Sequence, residues 1–91
     1  MSTILTPAKK IRASINYIEQ HHPICVAGVT ARWRIVEDDK LPAPMATNGA
    51  CLFYNPVQIA DWPLGRVTAV VLHETAHVLL GQAPAMLAEF V

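Results

Sequence analysis

Three side chains of this 91-residue chain that could do chemistry together stand within one short run: His73, Glu74 and His77, in the order H-E-x-x-H. On a helix, His73 and His77 lie one turn apart on a single face. Two imidazoles so placed can share one tetrahedral zinc ion, each about 2.0–2.1 Å from it. Glu74, rotated around the helix from His73, reaches a water on the same ion and serves as general base for attack on a peptide carbonyl. Residues 69–72 and 78–80 are uncharged and apolar, so the helix reads as buried. Its polar centre then needs partners, because an unsatisfied buried polar group costs about 1–3 kcal/mol. The opposing reading is a pair of core histidines satisfied by backbone carbonyls, with Glu74 turned to solvent. Thr75 is assigned only packing or back-bonding to the preceding turn.

The elements that must position this run follow from local signals. Thr6 and Pro7 open a first helix as N-cap and first helical residue. Ile11, Ile15 and Ile18 give it one apolar stripe, and Pro23 stops it near His21 and His22. Histidines in that place serve the helix dipole or face solvent. Alternation of Val29, Ala31, Trp33 and Ile35 with Thr30, Arg32 and Arg34 predicts a half-buried strand over residues 29–37. The run LPAP, residues 41–44, is irregular or at a sheet edge. Asn48-Gly49 signals a hairpin, followed by a strand that Pro56 ends. The stretch VQIAD fits a single helical turn, with Asp61 as N-cap of the long helix. That helix starts near Trp62-Pro63 and runs to Leu80, with Gly81 closing it. Pro84 begins a short terminal helix. The expected fold class is α+β in one domain, residues 1–91: an N-terminal helix, a small antiparallel sheet of about three strands, the buried H-E-x-x-H helix and a C-terminal helix.

Composition narrows the function classes. Seven basic residues balance seven acidic ones, so the surface lacks the cationic excess that nucleic-acid binding uses. No apolar run approaches the length of a membrane span, and the start lacks the apolar core of a signal peptide; a soluble cytoplasmic protein is expected. The apolar fraction of 53% is high for this length and points to exposed apolar surface, with room for a homo-oligomer. Cys25 and Cys51 read as small buried thiols, a disulfide between neighbouring strands being the alternative.

The segment VLHETAHVLLG resembles the active-site helix of zincin metallopeptidases. Residues 46–81, ATNGACLFYNPVQIADWPLGRVTAVVLHETAHVLLG, resemble predicted metallopeptidase domains of bacteria and phages. The overall size is similar to that of minigluzincins, while the first 45 residues carry no such likeness. The resemblance implies a zincin-like fold, Zn2+ as cofactor, His73 and His77 as ligands and Glu74 as catalytic base. It further implies that the strand over residues 50–54, with Leu52 and Tyr54, receives an extended peptide by β-augmentation.

A catalytic zinc needs a third protein ligand. The metzincin continuation fails, because Leu80 and Ala83 stand where its Gly and His belong. The gluzincin branch takes a glutamate from the following helix, and Glu89 is the acidic residue left there. An αα-hairpin turning near residue 82 sets Glu89 level with about Ala76, at 1.5 Å per residue. An exposed glutamate near the chain end is the alternative, and His21, His22 or a partner subunit could supply the ligand instead. Tyr54 and Arg66 are the candidates for an oxyanion donor. The expected function is a minimal zinc metallopeptidase acting on a peptide or protein substrate. The alternatives are a weak or inactive zincin-like domain that binds or inhibits around a structural zinc, and a metal-free α+β interaction domain.

Overall fold

The computed structural model describes residues 5–81. The terminal helix expected from Pro84, and Glu89 with it, lie outside the described residues. Helix α1 spans Pro7–His21; the Thr6 hydroxyl accepts from the Lys9 amide at 3.2 Å, and Pro7 takes the first turn. Its buried stripe is Ile11, Ser14, Ile15 and Ile18, and the chain turns extended at His22, before Pro23.

A second helix, α2, follows at Ile24–Arg32, where the alternation had pointed to a strand. The strand begins only at Arg34: β1 is Arg34–Glu37. Both periods fit this stretch. Val26, Val29, Thr30 and Trp33 also recur at i, i+3, i+4 and i+7, and they are the residues of the segment turned inward. Packing decides for the helix. The Thr30 hydroxyl bonds the Ala27 carbonyl at 2.9 Å and donates to Glu19 of α1 at 3.1 Å, tying the two helices together.

Strands β2, Met45–Thr47, and β3, Cys51–Tyr54, form the expected hairpin. Asn48 Oδ1 accepts from the amides of Ala50 and Cys51, at 3.0 and 2.9 Å. Gly49 takes a φ of 95°, which glycine adopts without strain. The sheet is mixed rather than antiparallel. Its order is β1-β3-β2, with β1 parallel to β3 and β2 antiparallel to it. After β1 the chain crosses to the far side before turning back, so β3 slots between the two earlier strands. The α+β class stands as expected; the pairing differs because crossover geometry leaves no trace in local pattern.

Asn55 pins the crossover. Its Nδ2 donates to the carbonyls of Leu41 and Asp39, at 2.9 and 3.3 Å, and its Oδ1 accepts from the amides of Val57 and Gln58, at 3.0 and 3.3 Å. The side chain is buried. Asn55→Ala leaves four backbone groups without this partner, and the expected loss is about 2–3 kcal/mol, read as a lower urea midpoint at unchanged slope.

The turn after Asn55 closes one i to i−4 bond, Ile59 amide to Asn55 carbonyl at 3.2 Å. Helix α3 then runs Leu64–Leu79, capped by Pro63 without a side-chain bond, so Asp61 is not its N-cap. Gly81, at φ 72°, turns the chain out of the helix. The core joins Ile11, Ile15 and Ile18 of α1 to Trp33, Met45, Leu52, Tyr54, Ile59, Val67 and Val71. Helices α1 and α2 both pack on α3, whose other flank meets β2. Cys25 is exposed and Cys51 half-buried, and both are free thiols rather than the pair of buried ones expected. Ile24 and Leu80 are among the exposed apolar side chains that the composition foretold. Among the described residues no helix is long and apolar enough to cross a membrane.

Candidate metal centre

Helix α3 is covered on one side. Val67, Val71, Glu74 and Thr75 are buried, His77 is half-buried and His73 is exposed. The apolar flanks had suggested burial all round; instead the core takes one stripe and the imidazoles sit on the open side. Their Nε2 atoms face each other at 2.8 Å, with ring centroids 4.3 Å apart and planes at 84°. The i, i+4 spacing brings the two Nε2 atoms to one point, and with both deprotonated this suits one shared ion. Ligands about 2.0–2.1 Å from a tetrahedral ion stand about 3.3 Å apart, so the rings need part only slightly to admit one.

Glu74 has no exposed surface, and among the described residues neither of its carboxylate oxygens has a hydrogen-bond partner. Burial pushes its pKa from 4.5 up to about 7. A carboxyl so placed costs stability wherever it ionises, which marks Glu74 as a functional-site candidate. The next residue behaves as expected: buried Thr75 donates to the Leu72 carbonyl at 2.6 Å.

The shift makes a sign-definite prediction for chelator-treated protein. The folded carboxyl holds its proton up to a pH of about 7, and the unfolded one releases it near 4.5. Between those values the unfolded chain binds fewer protons, so stability falls as pH rises. It is fully present below the lower value and levels off above the upper one. At about 1.4 kcal/mol per pH unit the total is about 3 kcal/mol. Urea unfolding across that range should show the decline in the parent and its absence in Glu74→Gln; parallel profiles would contradict it.

The other expected site residues are placed as follows. Leu52 and Tyr54 are buried on β3, and β3 is the middle strand with both edges paired. Peptide addition at that strand is therefore closed, a correction to the reading that made it a sheet edge. Among the described residues the unpaired edges belong to β1 and β2, and β2 is the one packed against α3. A short run, MAT, just before the Asn-Gly turn was the only signal for β2.

The Tyr54 hydroxyl donates to Glu37 at 2.9 Å, and burial with the neighbouring carboxylate pushes the phenol up to about 12. The Arg66 guanidinium lies 4.2 Å over the Trp62 ring. Both candidate oxyanion donors are thus engaged elsewhere. His21 stacks on Tyr17 at a centroid distance of 4.5 Å, with His22 nearby. Among the described residues no third His, Cys, Asp or Glu joins His73 and His77 in a metal-binding group. Glu89, the expected third ligand, lies outside them.

In comparison with known protein families, residues 6–88 match the model of a family described as "Putative metallopeptidase domain". The match takes in α1 and α2, well upstream of residue 46, where the resemblance read from sequence began. No curated protein and no solved structure matches the chain.

Proposed function

Because the chain belongs to the family described as a putative metallopeptidase domain, we propose that it is a zinc-dependent peptidase of gluzincin type. His73 and His77 hold the ion, Glu89 completes the ligand set, and Glu74 is the catalytic base. The observation that carries this reading is a buried carboxyl, without a partner among the described residues, on the same helical turns as two converging imidazole nitrogens.

When bound, the metal supplies a Lewis acid for the scissile carbonyl and makes water a competent nucleophile near neutral pH. The chain's own residues do the rest. Glu74 accepts the proton of the attacking water and returns it to the departing amine nitrogen. Glu74 follows His73 directly on helix α3, so no ordering of a flexible loop precedes the step. An extended peptide finds its backbone partners along the free edge of β2, in place of β3. The partner is a peptide or protein substrate.

Hydrolysis of a quenched fluorescent peptide mixture tests the proposal. Cleavage that stops with chelator and returns with added zinc is the expected result. No cleavage by zinc-loaded protein, or cleavage indifferent to chelation, would contradict it, the first in favour of a zincin-like binding or inhibitory domain.

A further inference from the structure

We draw no further inference here: the strongest candidate, the apolar cleft between α2 and the end of α3 where Ile24 and Leu79 stand exposed, carries none, because nothing among the described residues shows what covers it.

Discussion

Glu74→Gln is expected to lower peptide hydrolysis by about 10²–10⁴-fold while leaving bound zinc at the level of the parent chain. The substitution keeps the size and planarity of the side chain and removes its ability to take a proton. Because neither carboxylate oxygen has a hydrogen-bond partner among the described residues, no bond seen there is broken. The amide is also never charged, so the variant avoids the desolvation that holds the carboxyl up to about 7. It should therefore be at least as stable as the parent above that pH, and a loss of activity could not be assigned to unfolding. Steady-state cleavage rates beside thermal melts and metal analysis check all three parts. Activity within a few-fold of the parent would remove Glu74 from the chemistry.

His77→Ala is expected to cost metal rather than fold. Removing a direct ligand should weaken zinc by more than the about 10–100-fold that a supporting hydrogen-bond partner of a ligand is worth. The imidazole is half-buried near the end of α3, and its removal opens little of the core. His73→Ala, at an exposed position, should do the same with still less effect on stability. Competition with a chromophoric chelator measures the affinities. Parent-like zinc binding in both variants would show that the ion sits elsewhere. The two single variants should also fail to add, since either one already leaves the ion with a single imidazole.

The geometry of the candidate site was legible because it is local: three residues on two turns of one helix make it up, and helical spacing alone sets the imidazoles side by side. The first helix was legible for the same reason, Thr6, Pro7 and Pro23 acting within a few bonds of where they sit. The Asn48-Gly49 turn likewise follows from what an Asn side chain and a glycine do to adjacent amides.

What escaped is what depends on distant partners. Residues 24–32 are rich in Ile, Val and Thr and carry both a strand period and a helix period. The choice was made by contact with α1 through Thr30 and Glu19, which no local window contains. The position of β3 between β1 and β2 depends on how the crossover folds back, held by Asn55. That placement moved Leu52 and Tyr54 from a supposed substrate edge into the core. The exposure of His73 was hidden for a related reason. A helix with apolar residues on all sides reads as wholly buried, yet the described helices and strands leave the His73 side of α3 exposed. Leu79, 48% exposed, is part of the same uncovered surface.

The central claim is that His73 and His77 hold a zinc ion together with Glu89. Metal content by mass spectrometry, on the chain purified without added zinc and beside Glu89→Ala, tests it most directly. One zinc per chain in the parent, and much less in Glu89→Ala, is the predicted result. A parent chain free of metal would contradict the account and leave His73, Glu74 and His77 as a polar cluster without an ion.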